Sequence, residues 1–288
     1  MSSPKNHHYV SQCHQKEFFN DEVGLIYLYD KELDNYYYKS STKRLFSKDH
    51  LNTKERNGEL DQVTLEKELK ILTEDNFIKN VSKVKQFLND QNELQQTYEA
   101  LFCLTILGIL GEFRHPQFKE SLDETMLKFE SDYFLRIYNF DKEKVKKYLK
   151  NKQKTSHSNI LSYISIAFQI LEKMEPLDFM IYSIKSNDHF LLPDTSCFQL
   201  RGQLKNYPNP FVQEIIQVGI PLTDKLFILA TPQSLKTELH GIQFINDDDS
   251  NLVYKINKDL YMFAKKAVAC KDEDYLKNII EKFKKGCT

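Results

Sequence analysis

Residues 93–116 read ELQQTYEALFCLTILGILGEFRHP, and this stretch decides the fold that we expect for the chain. Its apolar side chains occupy nearly every side of a predicted helix, which is typical of a helix buried among neighbours in the middle of a protein. Proline disfavours helical geometry in the residue before it, so this helix should end before Pro116. Pro116 itself suits the first turn of a second helix, which we expect to run to about Tyr138.

Helical spacing continues on both sides of this stretch, over about residues 63–174. On the N-terminal side, apolar residues recur three and four positions apart at Leu65, Leu69, Leu72, Val81, Val84 and Leu88. On the C-terminal side, residues 160–171 leave only a narrow polar stripe and should be largely buried. The middle of the chain is therefore predicted to be a mostly helical block.

The segment before this block carries aromatic and apolar residues without helical spacing. Residues 24–30 (GLIYLYD) predict a strand, residues 31–35 a polar turn, and residues 36–39 (YYYK) a returning strand. We therefore expect an N-terminal β-hairpin. Residues 40–60 are polar and mixed, and they predict a loop with short helical pieces.

After Pro176 the pattern changes to short apolar runs separated by turn residues. These runs predict strands at residues 179–182, 190–192, 215–220 and 226–230. Helical spacing then returns over residues 252–268, and an amphipathic segment at residues 272–285 predicts one more helix.

The segregated order of these elements favours the α+β class over alternating α/β. We expect an N-terminal β-hairpin, a central mostly helical block, and a C-terminal mixed sheet followed by two helices. The parts are residues 1–60, 61–175 and 176–288, which we expect to form one integrated domain rather than independent domains.

Charge and hydropathy constrain the partners. The chain has 288 residues, 40 basic and 41 acidic, for a formal net charge of -1. This balance gives the chain no overall electrostatic attraction for nucleic acid. Nucleic acid could therefore bind only at local patches of basic residues. The longest apolar run, residues 100–110, is shorter than the roughly 20 residues of a spanning helix, so no membrane partner is expected. The sequence indicates neither a protein partner nor an oligomeric state.

The cysteines and the N-terminus predict a cytoplasmic location. The five cysteines are odd in number and widely spaced, unlike those of secreted disulfide scaffolds, so we expect reduced thiols. The first residues, MSSPKNHHYVSQ, lack the basic start and apolar region of a signal peptide.

Several common catalytic motifs do not occur. The sequence contains no GxGxxG, GxxxxGK[ST], HExxH or GxSxG, and it has only eight glycines. This weighs against a nucleotide-driven motor, a Rossmann dehydrogenase, a zincin and an α/β-hydrolase. The sequence therefore leaves any cofactor unknown and singles out no cofactor-binding residue.

Three clusters each allow a functional and an ordinary interpretation. His7, His8, Cys13 and His14 are possible metal ligands, but their spacing lacks a second pair, so we predict no metal site. The lysine-rich residues 142–154 suit either a polyanion or, more commonly, a solvated helix face. The acidic residues 247–249 suit either a hard cation or, more commonly, a turn that caps the following helix.

Three polar residues stand where the pattern is apolar. Asn257 lies on the buried face of the predicted helix at residues 252–268, and a buried carboxamide costs about 1–3 kcal/mol if unpaired. Arg114 ends the most apolar helix of the chain, so its guanidinium must either emerge near the core or pair there. Asp194 follows a predicted strand, a common place for a functional carboxylate and also for a turn.

These residues coincide with a family resemblance. The matching segments, in chain order, are His8-Tyr9-Val10-Ser11-Gln12, Phe18-Phe19, Ile26-Tyr-Leu-Tyr-Asp30, Arg114-His115-Pro116, Phe190-Leu-Leu-Pro193-Asp194, and Asn257 with Ala264. With them the chain resembles the bacterial domain-of-unknown-function family 4238 over nearly its whole length. Ser11 departs from the family's usual proline, and Leu192-Pro193 from its Thr-Ser. The resemblance implies no established reaction, but it adds His8 to the candidate residues.

Two hypotheses of function follow. The favoured one is a non-catalytic binding or regulatory module, in which the polar residues fix the fold and an outer surface recognises a partner. The alternative is a hydrolase acting on a phosphorylated or nucleic-acid substrate, with a toxin or host-defence role open to either type. In the hydrolase, Asp194 is a base or metal ligand and Arg114 an anion clamp. His8 is then an acid or base, and Asn257 orients the substrate.

Overall fold

A computed structural model of the chain describes residues 6–56, 59–137, 143, 163–203, 214–233, 242–246 and 249–285. The lysine-rich residues 142–154, apart from Glu143, lie outside this part, as do Asp247 and Asp248. Asp249 is described, and its side chain accepts a hydrogen bond from the backbone N–H of Asn251 at 2.8 Å. It is therefore the N-cap of the helix that follows.

Apart from the short α1 near the N-terminus, which the sequence did not predict, the helices occupy the middle and the end of the chain, as expected. They are α1 Gln12–Lys16, α2 Thr64–Leu69 continued by a π-helix at Lys70–Glu74, α3 Phe77–Asp90, α4 Leu94–Arg114, α5 Pro116–Ile137, α6 Tyr163–Met174, α7 Ser250–Phe263 and α8 Glu273–Lys285. The predicted boundary between α4 and α5 at Pro116 is confirmed. No helix among the described residues is both long enough and apolar enough to cross a membrane.

The strands form two main sheets and two short pairs. They are β1 Asn6–His8, β2 Ile26–Asp30, β3 Asn35–Lys39, β4 Ser47–Asp49, β5 Lys54–Arg56, β6 Glu59–Asp61, β7 Leu177–Ser183, β8 Leu192–Pro193, β9 Phe198–Gly202, β10 Glu214–Pro221, β11 Leu226–Pro232, β12 Ile242–Asn246 and β13 Ala267–Cys270. The larger sheet has the order β12-β7-β11-β10-β9 and is mixed, because β12 runs parallel to β7. The smaller sheet has the order β3-β2-β13-β8 and is antiparallel.

The α+β class, the N-terminal hairpin and the C-terminal helices are confirmed. The smaller sheet joins segments far apart in the sequence, since β2 of the N-terminal hairpin pairs with β13 near the C-terminus. Residues 40–60, which were expected to form a loop with short helical pieces, contain a 3-10 turn at Thr42–Arg44 and also short strands.

Helix α4 lies at the centre of the fold, between α3 and α6 and against β10 of the larger sheet. Gly108 allows this close approach, because a Cβ there would come within 2.5 Å of the Ile220 side chain. Gly111 does the same toward the turn at Thr195 and Ser196, whose atoms a Cβ would overlap. The buried side of α4 therefore fits directly onto the sheet.

Two sequence predictions about helices are wrong. The helix expected over residues 252–268 ends at Phe263, and Ala267–Cys270 form β13 in the middle of the smaller sheet. The reason is a carboxylate, Asp194, that binds the backbone N–H groups between the two elements. The second concerns residues 160–171, which were expected to be largely buried. Helix α6 in this region is buried on one face only, and Phe168 on another face is 39% exposed.

Candidate functional site

Asp194 is fully buried and its carboxylate is surrounded by donors. Oδ1 accepts the backbone N–H of Lys265 at 2.9 Å, and Oδ2 accepts those of Lys266 at 2.8 Å and Ala267 at 3.1 Å. The ring of His115 approaches Oδ2 at 3.3 Å. A carboxylate accepts about four hydrogen bonds, so these donors occupy its capacity.

His115 was not among the candidate residues, although it stands between Arg114 and Pro116. Its Nδ1 accepts the backbone N–H of Gln117 at 3.2 Å, so the ring proton belongs on Nε2, which donates to Asp194. The ring of Tyr9 meets His115 edge-on, with centroids 5.1 Å apart. Burial, and then the Asp194 carboxylate, raise the pKa of the Tyr9 phenol.

Arg114 joins three segments of the chain. Its Nη2 donates to the backbone carbonyl of His8 in β1 at 2.5 Å and to Oε1 of Glu74 in the π-helix at 3.3 Å. His8 is therefore connected through its backbone, while its ring lies near the Thr42 carbonyl at 2.9 Å and the side chain of Gln12 at 3.0 Å. Arg114 is 3% exposed, so a large anion has no free approach to its guanidinium.

Asn257 is fully buried and bridges α7 to two other segments. Its Oδ1 accepts the backbone N–H of Leu191 at 2.9 Å. Its Nδ2 donates to the carbonyl of His189 at 2.8 Å and to the hydroxyl of Tyr275 in α8 at 3.1 Å. The structure thus connects His8, Arg114 and Asp194 through His115, whereas Asn257 holds the segment before Asp194 from another side.

Lys119 in α5 is a further buried polar residue that the sequence did not single out. Its Nζ donates to the carbonyl of Leu51 at 3.1 Å and to Oδ1 of Asn52, and it lies 5.2 Å from the centre of the Tyr163 ring. Burial, together with the charge of Arg114, lowers the pKa of Lys119 to about 7. It lies one turn after His115, but the polar residues around it in the sequence give no local sign that it is buried.

The histidines of the N-terminal cluster point to different partners. His7 accepts the backbone N–H of Asn52 at 2.8 Å, whereas Nε2 of His14 lies 2.5 Å from the Pro221 carbonyl. Burial lowers the pKa of His14 to about 4, although its bond to the Pro221 carbonyl acts in the opposite direction. Among the described residues, no group of three or more His, Cys, Asp or Glu could hold a metal ion.

An open cleft of 580 Å³ lies elsewhere on the surface. Lysines from five separate segments line it: Lys16 in α1, Lys85 in α3, Lys185 after β7, Lys225 before β11 and Lys271 after β13. We call this the lysine cleft. Its acidic lining residues are Glu17, Asp21 and Asp224, and Oδ2 of Asp224 lies 3.0 Å from Nδ1 of His189.

The family comparison agrees with the resemblance seen in the sequence. The profile of the family described as "Protein of unknown function (DUF4238)" matches residues 6–274. Neither the curated proteins nor the solved structures contain a match to the chain. Because the matched region covers most of the 288 residues, the chain belongs to the DUF4238 family of proteins of unknown function.

Proposed function

We propose that this protein is a non-catalytic binding or regulatory module, in which the buried polar residues hold the fold. The observation that carries the proposal is the bonding of Asp194. A general base or metal ligand needs a lone pair directed at a ligand, but Asp194 accepts three backbone N–H groups and faces His115. It is also 0% exposed, so substrate has no access to it.

The bonding of the other candidates supports the same proposal. Each polar atom of Asn257 serves a backbone group or Tyr275, and Arg114 binds a backbone carbonyl and Glu74. These contacts connect segments that are distant in the sequence, so they stabilise the fold. Recognition of a partner is then left to an outer surface.

The test measures turnover and stability together in the full chain. Wild type and Asp194→Asn are incubated with p-nitrophenyl phosphate and with single-stranded RNA, and unfolding in urea is followed in parallel. If the protein is a binding module, neither protein turns over the substrates, and Asp194→Asn has a lower free energy of unfolding than wild type. Turnover by wild type that disappears in a still-folded Asp194→Asn would overturn the proposal.

A hydrolase of a phosphorylated or nucleic-acid substrate is the second candidate, and one observation favours it. When Nδ1 of His189 donates its proton to Asp224, Nε2 is left unprotonated, which is the arrangement of a general base. Asp224 lines the lysine cleft, so the base would stand near bound anions. This candidate requires turnover that His189→Gln abolishes while leaving the protein folded. Any toxicity on expression should disappear with the same variant.

The thiols support a reducing compartment such as the cytoplasm, which we propose as the location. Within the described part of the chain, Cys13, Cys103, Cys197 and Cys270 are free. Burial raises the pKa of the Cys270 thiol to about 12 and also raises that of Cys197. Both therefore stay protonated and unreactive inside the fold.

A further inference from the structure

We propose that the lysine cleft binds an oligophosphate group, either free or carried by a nucleotide. This inference rests on the proposed binding function and names the ligand class for it. The five lysines come from five segments that are far apart in the sequence, so only the fold brings them together. A cleft of 580 Å³ is within the size range of small-molecule sites.

The charge of the lysine cleft differs from that of the chain. Its lining holds five lysines against three carboxylates, which leaves a formal charge of +2, whereas the whole chain carries -1. The excess is thus local and is concentrated in a concave surface. Such a surface strengthens the field on a bound anion and raises its local concentration.

Lys225 gives the cleft a fixed donor. Its Nζ donates to the carbonyl of Ser186 at 2.8 Å and also to the carbonyl of Asp188. An ammonium group has three N–H donors, so one remains for a ligand. Because the two carbonyls already hold the side chain, a ligand does not have to order it on binding.

The carboxylates in the cleft hold their lysines only weakly. Lys271 pairs with Asp21 at 2.6 Å, but the Asp21 side chain is 87% exposed, and Lys85 pairs with Glu17 at 3.7 Å. Each pair has one partner open to solvent, Asp21 or Lys85, and solvent-exposed pairs contribute about 0–1 kcal/mol, so a more highly charged anion can displace them. Lys16 forms no ion pair with any described residue and is exposed to solvent.

The number of cations in the cleft indicates the kind of anion. Among the described residues that line the cleft, every cation is a lysine. Lysine acts as a point charge, so it contacts phosphate oxygens without requiring the planar, two-pronged geometry through which arginine binds carboxylates and phosphates alike. Several lysines around one cleft match an anion with several charges, which is the property of di- and triphosphate groups.

The experiment is isothermal titration calorimetry of the full chain with sodium tripolyphosphate and, separately, with ATP without metal. We expect binding at about 50 mM salt that weakens strongly at about 500 mM, because screening shortens the range of the charges. Lys225→Gln should raise the Kd about tenfold, since it removes a charge-assisted hydrogen bond. The double variant Lys16→Gln/Lys85→Gln changes two exposed residues only, and it should also raise the Kd about tenfold.

Lys79→Gln is the matched control, because Lys79 is exposed on α3, the helix that carries Lys85, but does not line the cleft. Its Kd should equal that of wild type. Equal affinity of tripolyphosphate and ATP assigns recognition to the oligophosphate alone, and tighter ATP binding assigns it to a nucleotide.

No binding of either probe by folded wild type would overturn the inference and leave the binding-module proposal standing. A Kd unchanged in both cleft variants would also overturn it. Release of phosphate from either probe would instead overturn the non-catalytic proposal, while the cleft remained the anion site.

Discussion

Nε2 of His115 lies 3.3 Å from Oδ2 of Asp194, and both side chains are buried. His115 stands at the junction of α4 and α5, whereas the same Asp194 carboxylate binds the backbone between α7 and β13. This one contact therefore joins the helical block to the smaller sheet. Because Asp194 contacts both parts of the fold, its substitution should destabilise both of them.

Asp194→Asn should lower the free energy of unfolding by about 2–4 kcal/mol. The new amide has the same shape but keeps only one oxygen, so either the N–H of Lys265 or those of Lys266 and Ala267 lose their acceptor and face an NH2 donor instead. Urea unfolding followed by circular dichroism measures the change. Asp259→Asn, at an exposed position of α7, is the control and should stay within about 0.5 kcal/mol. Equal small changes in both variants would contradict a structural role for Asp194.

Asn257→Ala should lower the free energy of unfolding by about 2–4 kcal/mol, because it leaves the N–H of Leu191 and the carbonyl of His189 unpaired in the interior. Asn251→Ala, at an exposed position of the same helix, serves as its control. The midpoint of thermal unfolding compares the two. A normal melting temperature for Asn257→Ala would count against the binding-module proposal.

His14 should make the protein less stable in acid. Burial lowers its pKa from 6.5 to about 4, so the unfolded chain takes up a proton below pH 6.5 while the folded chain does not. The stability contributed by neutral His14 is complete above pH 6.5 and is lost as the pH falls toward 4. We expect a loss of about 2–3 kcal/mol between pH 7 and pH 4.5 from this residue.

The variant that tests this is His14→Gln, whose amide can still donate to the Pro221 carbonyl but does not titrate. Its urea midpoint should change less between the two pH values than that of wild type. His50→Asn is the control, because His50 is exposed and asparagine tolerates its backbone φ of +59°. Its urea midpoint should change between the two pH values as much as that of wild type. The same change of the urea midpoint with pH in all three proteins would exclude His14 as the acid-sensitive group.

The thiols should separate into two classes toward iodoacetamide. Cys103 is exposed, whereas Cys197 and Cys270 are almost fully buried, and Cys197 donates to the Gly108 carbonyl at 2.9 Å. We expect alkylation of Cys103 in the native protein and of the other two only in denaturant. Peptide mass spectrometry assigns each site. Labelling of Cys197 as fast as Cys103 in native buffer would show that its environment is open.

Features that depend on neighbouring residues could be predicted from the sequence. Pro116 ends α4 through its own ring, and the polar residues 31–35 turn the hairpin, so both boundaries were recognisable locally. The apolar surface of α4 likewise required neighbours on several sides. The burial of Asn257 followed from its place among apolar residues of α7.

The features that could not be predicted depend on contacts between distant segments. Apolar spacing alone continues the helix to residue 268, and nothing local shows that Asp194 takes up the N–H groups of residues 265–267. Lys119 has the sequence context of a solvated lysine, and its burial results from Leu51 and Asn52 on another segment. The lysine cleft is assembled from five segments, so no short window contains it.

The smaller sheet also sets the order in which the protein can be completed on the ribosome. Tyr29 of β2 lies opposite Val268 of β13, so the hairpin is translated long before its partner strand exists. At about 5–20 residues per second, that edge of β2 stays open for on the order of ten seconds or more. During this time its backbone donors and acceptors are available to other nascent chains. Pairing of β2 with β13, and with it completion of the smaller sheet, is therefore one of the last events in the synthesis of the chain.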